Sequence, residues 1–176
     1  LQMHYTTIGQ PITDQTEIGI VLAKEPPTTR REEGGGAIPN MTFAIPPGDP
    51  NYAVTGQTTF DRDVYLSALY PHMHVRGKDA AYTVVYPDGR EEEVLRVPKY
   101  DFNWQLSYKL AEPKLLPKGS TLKVTMHYDN SRANRNNPDP TQTVRWGEQT
   151  WEEMMLGYYS TIELPGSTAA RTRLRR

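Results

Sequence analysis

Cysteine is missing from this chain of 176 residues, so no disulfide framework braces the fold and no CxxC metal or redox motif exists. An apolar run of the ~20 residues that a membrane-spanning helix needs is missing too. The chain opens on Leu1 with no signal-type segment after it, and it reads as an excised or processed piece of something longer. Charge of one sign is not in excess: the formal net charge is -1, which gives no footing for nucleic acid. Helical periodicity is nearly absent, with residues 151–157 the only ambiguous stretch. HExxH, an EF-hand loop, GxSxG and the phosphate-cradling P-loop are all lacking, which removes the commonest hydrolase and nucleotide-binding classes.

What remains is rich in turn formers and β-favouring aromatics, with 15 Pro, 13 Gly and 11 Tyr. Hydrophobic content is 36%, adequate for a half-solvated sheet protein. Short alternating segments recur between turn signals. Strands are expected over residues 1–7, 17–23, 41–45, 53–60, 64–74, 81–86, 92–97, 103–109 and 121–128, with a last one inside 151–162. Pro87-Asp88-Gly89-Arg90 is hairpin chemistry, since Pro presets one turn dihedral and Gly accepts the positive one. Residues 24–39, with Gly34-Gly35-Gly36, read as a loop or flexible connection. Residues 113–119 read as a further connection and 130–143 as a long polar surface loop. The expected fold is all-β, a jelly-roll-like antiparallel β-sandwich.

One motif carries chemistry. His72-Met73-His74 closes the alternating run 64–74, and the chain holds only four histidines. On a strand, residues two apart share a face, so two imidazoles stand together where they can grip one metal ion. Other candidate ligands are His4, His127 and the pair Met154-Met155. A thioether beside two imidazoles favours copper over zinc. His127 falls on the polar side of its strand and reads as a surface or supporting group. Met154 and Met155 differ in face, so at least one of them belongs to the core. The aromatic-rich segments 100–104 and 146–151 read as core and loop packing, or as walls of a cleft near Met154.

His72-Met73-His74-Val75-Arg76-Gly77-Lys78 resembles the His-x-His-x-x-Gly-Lys signature of the copper type II, ascorbate-dependent monooxygenases, the family of peptidylglycine alpha-hydroxylating and dopamine beta-monooxygenases. Three further segments agree in order. Leu1-Gln2-Met3-His4-Tyr5 is similar to the strand joining that family's two domains, Ile45-Pro46-Pro47-Gly48 to a turn upstream of the signature, and Glu152-Glu153-Met154 through Tyr158-Tyr159 to its methionine strand.

The resemblance implies a C-terminal, oxygen-activating copper domain that hydroxylates C–H bonds with O2, ascorbate being the reductant. The copper ligands it implies are His72, His74 and Met154. His4 matches the last of three histidines that hold a second, electron-transferring copper, and the other two would come from an upstream copper domain. The implied division is an inter-domain strand over 1–8, a copper-binding sandwich over 9–164 and a basic tail over 165–176. Tyr158 is the residue of the family's catalytic site that carries over as a substrate contact. The partner arginine and asparagine do not, being Tyr70 and Leu156 here. Without the bidentate arginine a C-terminal glycine peptide is a poor fit, and the small-molecule or peptide substrate stays open. The family's disulfide cysteine after the methionine is Met155 here, which points to a divergent bacterial branch and an extracellular or periplasmic setting. A competing expectation is a non-catalytic extracellular structural or assembly module that keeps the copper site, with assembly partners of its own.

Overall fold

Alternation of buried and exposed side chains dominates the computed structural model, in which Tyr5, residues 7–22, Lys24, Glu25 and residues 32–163 are described. Among the described residues every regular element is a strand: β1 (Glu32–Pro39), β2 (Ala44–Ile45), β3 (Tyr52–Thr59), β4 (Val64–His72), β5 (Gly77–Val85), β6 (Glu91–Val97), β7 (Tyr108–Leu116), β8 (Thr121–Tyr128), β9 (Val144–Arg145) and β10 (Leu156–Glu163). Two four-stranded antiparallel sheets result, one ordered β1-β10-β4-β7 and the other β3-β8-β5-β6, with β2 and β9 forming a small third pair. The fold is an all-β sandwich. Its core lies between the two large sheets, where Leu66 and Leu69 of β4 join Tyr82 and Val84 of β5 and Leu122, Val124 and Met126 of β8.

In β8 the alternation expected from sequence holds residue by residue: Leu122, Val124, Met126 and Tyr128 are buried. The hairpin joining β5 to β6 turns at Pro87-Asp88-Gly89, with Gly89 at φ 84° and Arg90 N–H donating to the Asp88 carboxylate at 3.0 Å. The long loop 129–143 is pinned by short-range turns in which Asp129, Asn134, Asn137 and Asp139 each accept the N–H two residues on.

Four expectations need correction. The glycine run is a strand, not a loop: β1 pairs with β10 along its length. A Cβ at Gly36 would lie 2.8 Å from the Tyr159 hydroxyl, and one at Gly34 2.8 Å from Thr161 Oγ1. Side chains of β10 lie across the edge strand, and the glycines leave them room. Second, β7 runs through Pro113, where a connection was expected, and it starts at Tyr108 where a strand from residue 103 was expected. It is an edge strand, the one place in a sheet where a missing N–H is tolerated. Third, Met154 and Met155, expected in the last strand, precede it: that strand is Leu156–Glu163, and Glu153 sits in an isolated bridge to Trp146. Fourth, residues 17–22, the described part of the strand expected over 17–23, form no strand, and Ile18, Ile20, Val21 and Leu22 are exposed. A lone segment of high β-propensity has no ladder to join. The chain divides into two units, Leu1–Arg30 and Arg31–Arg176, and this segment belongs to the first. The strand expected over 1–7 and the tail over 165–176 lie outside the described residues, apart from Tyr5 and Thr7.

A β-bulge decides which way the histidines point. The pairing of β10 with β4 steps from Ser160↔Ala68 to Thr161↔Leu66, so Ser67 is an extra residue, and its hydroxyl donates to the Ser160 carbonyl at 3.1 Å. Before the bulge Leu66 faces the core. After it the inward positions are Leu69, Pro71 and Met73. His72 has the same parity as Leu66, and without the extra residue it would point inward.

The sheets pack closely at Gly157, where a Cβ would meet Val124 Cγ1 at 2.6 Å. Gly157→Ala is expected to destabilise the sandwich by about 1–3 kcal/mol through overpacking. Combined with Val124→Ala the loss should be smaller than the sum of the two single losses, as urea denaturation of the four chains will read.

Candidate metal centre

The two imidazoles stand where β4 leaves its sheet. Their ring centroids are 5.4 Å apart and their planes are nearly perpendicular, at 86°. Two rings bound through nitrogen to one ion at about 2.0–2.1 Å have centroids roughly 4.5–6 Å apart, so the spacing suits a shared metal.

Each ring has its tautomer fixed by one partner. His74 Nδ1 lies 3.2 Å from the Glu152 carbonyl, which can only accept, so Nδ1 carries the proton. His72 Nδ1 lies 2.7 Å from Gln105 Oε1. The Gln105 amide is oriented by its own donation to the Phe102 carbonyl at 2.9 Å, and its oxygen also accepts from the Tyr70 hydroxyl at 3.1 Å. Burial holds both imidazoles below the ordinary histidine range, partly offset by the hydrogen bonds that His72 donates to Gln105 and His74 to the backbone of Glu152 and Gln149. Phe102 covers His74 edge-on at 6.0 Å.

Burial separates the two methionines. His72 pairs with Leu156 at the last rung of the β10–β4 ladder, and Met154 and Met155 precede that rung. Met155 is fully buried in the core with Met73. Met154 is half-buried. Among the described residues no three His, Cys, Asp or Glu side chains gather as a metal cluster.

The other expected residues fall elsewhere. His4 lies outside the described residues. His127 is on the outer face of the second sheet, its Nδ1 2.7 Å from Asp79. Tyr158 pairs with Tyr70 in the ladder, and their rings stack at 5.6 Å. The two form one wall of an open groove of about 460 Å3 that also includes Ser107, Tyr159 and Ala37 and has no charged lining residue. The aromatic segments split: Tyr100 is buried and Phe102 and Trp146 pack on the core, but Trp104 and Trp151 are exposed.

Local pattern gave no hint of the residues that hold this corner. Glu153 is fully buried, and its carboxylate accepts the backbone N–H groups of His74 at 2.7 Å and Arg76 at 2.6 Å. Arg76 is buried as well, donating to Asn130 Oδ1 at 3.0 Å and the Trp151 carbonyl at 2.8 Å. Burial pushes the Glu153 carboxyl up to about 8 against the pull of those N–H donors and the Arg76 charge.

A scan against models of known protein families matches none of them, and a search of the curated proteins finds no match.

Two outcomes are expected here. Gln105→Leu frees His72 Nδ1, so the 15N shifts of that ring should move from one tautomer toward a mixture while those of His74 stay. For Glu153 the folded state keeps its proton from the unfolded value of 4.5 up to about 8. Its contribution to stability is therefore full below pH 4.5 and lost as pH rises to 8, by at most about 1.4 kcal/mol per pH unit. Glu153→Gln should flatten that slope in denaturation curves taken across the window.

Proposed function

We propose that the sandwich is the oxygen-activating copper domain of an ascorbate-dependent monooxygenase-like protein, with His72, His74 and Met154 as copper ligands. One observation supports the reading: two imidazoles stand 5.4 Å apart, each tied at Nδ1, and the residues just before Met154, Glu152 and Glu153, contact His74. The donor set fits copper. Two imidazoles and a soft sulfur suit Cu(I), whereas a catalytic zinc site of this size would take a carboxylate or a third histidine. Copper held there by three protein ligands with a position left open would supply oxygen binding and one-electron redox.

The chain's own groups do the rest. Gln105 and the Glu152 carbonyl orient the imidazoles, Met73 and Met155 seal the core beneath, and Phe102 shields His74. The stacked Tyr70 and Tyr158 offer an uncharged groove wall, which favours a substrate without a carboxylate to clamp. Ascorbate as reductant, an upstream domain sharing a second copper through His4, jelly-roll wiring and an extracellular or periplasmic setting belong to the same proposal.

Titrating the chain with copper under reducing conditions against a chromophoric Cu(I) chelator tests the reading. One equivalent should bind, and His72→Ala with His74→Ala should abolish it. Met154→Leu should weaken Cu(I) more than Cu(II). Binding that survives loss of both histidines would sink the proposal. Copper binding with no oxygen consumption by the full-length protein under ascorbate would favour a structural or assembly module instead.

A further inference from the structure

We infer that Glu153 is the positioning residue that fixes the Met154 thioether against the histidine pair, an inference that rests on the copper reading above. The two ligand-bearing segments are far apart in sequence, and a single carboxylate joins them. Its two oxygens end on the N–H groups of His74 and Arg76 at 2.7 and 2.6 Å. Both belong to the turn after β4, which the Gly77 N–H closes on the His74 carbonyl at 3.1 Å. The Glu153 backbone is fixed as well: its N–H donates to the Arg145 carbonyl at 3.2 Å, and its own carbonyl accepts from Gly147 at 3.1 Å. Met154 is the next residue, one peptide of about 3.8 Å away. The carboxylate is fully buried and water cannot replace it.

Arg76 adds a second strut. It follows His74 by two residues and grips the Trp151 carbonyl, so the loop leading to Met154 is tied to the histidine turn at Trp151 as well as at Glu153. The geometry makes side-chain length decisive. Aspartate is shorter by one carbon–carbon bond, about 1.5 Å, and cannot reach both N–H groups without dragging Met154 with it. Glutamine keeps the length but replaces one oxygen, which can accept in the charged and the protonated carboxyl alike, by an NH2 group that cannot.

The test uses the whole chain and Cu(I) alone as probe. Glu153→Asp and Glu153→Gln are placed in the parent and in Met154→Leu, and affinity is read by chelator competition. Cu(II) spectra of the histidine pair and thermal unfolding are recorded alongside. In the parent each change should lower Cu(I) affinity about tenfold or more while the Cu(II) signature of the two imidazoles persists. In Met154→Leu neither should cost anything further. An undiminished affinity in the parent, or an equal loss in both backgrounds, would overturn the inference. If Glu153→Asp does not fold, Glu153→Gln, which conserves volume, decides. A parent chain that binds no Cu(I) sinks the copper reading itself, a result distinct from variants that bind as the parent does.

Discussion

One extra residue in β4 sets the side of the sheet on which the histidines stand. Strand side chains alternate with a period of two, so a single insertion inverts every position beyond it. Ser67 is that insertion, held by its bond to the Ser160 carbonyl. Upstream of it the strand serves the core through Leu66. Downstream the same strand offers Tyr70 and His72 outward while Met73 goes in. The partner strand answers in kind: Tyr158 stacks on Tyr70, Leu156 pairs with His72, and Met155 joins Met73 in the core. Bulges commonly re-aim side chains beside functional sites. Here the bulge lets one strand carry both a packed core and the histidine pair's first member, His72.

The corner just past the bulge poses a backbone problem. At Met73 the chain leaves the sheet and yet remains buried, so its N–H groups lose ladder partners where water cannot reach. Side chains from distant segments replace the ladder. Tyr100 accepts the Met73 N–H at 3.1 Å and donates to its carbonyl at 2.6 Å. Glu153 takes the N–H groups of His74 and Arg76. A buried carboxylate is costly to keep charged, and burial accordingly pushes Glu153 far above its ordinary range. Hydrophobic packing alone would leave those buried N–H groups without acceptors.

Local pattern foretold the parts of this design that are themselves local. The alternation of β8 and the Pro-Asp-Gly hairpin each need only a few neighbouring residues. The glycine strand was illegible because its reason lies in Tyr159 and Thr161, which cross over it from β10. Pro113 reads as a break until β7 is known to be an edge strand. Residues 17–22 have strand propensity without a described partner, and propensity alone does not pair a strand. At the site the histidines were visible, but their supports were not. Gln105 meets His72 from 33 residues away and Glu153 meets His74 from 79, separations that no periodicity records.

Those supports also bear on which metal the face would accept. Carboxylate at the third position would favour harder cations, and two conspicuous acids, Glu152 and Glu153, stand in the sequence beside Met154. Both are occupied otherwise. Glu153 is spent on backbone N–H groups inside the core, and the Glu152 carboxylate accepts the Gln149 N–H at 3.1 Å. Under the copper proposal the acids serve as scaffold and the donors are two imidazoles and a thioether, a set that would favour a soft ion. Burial holds those imidazoles below the ordinary histidine range, while the Glu152 charge acts the other way on His74.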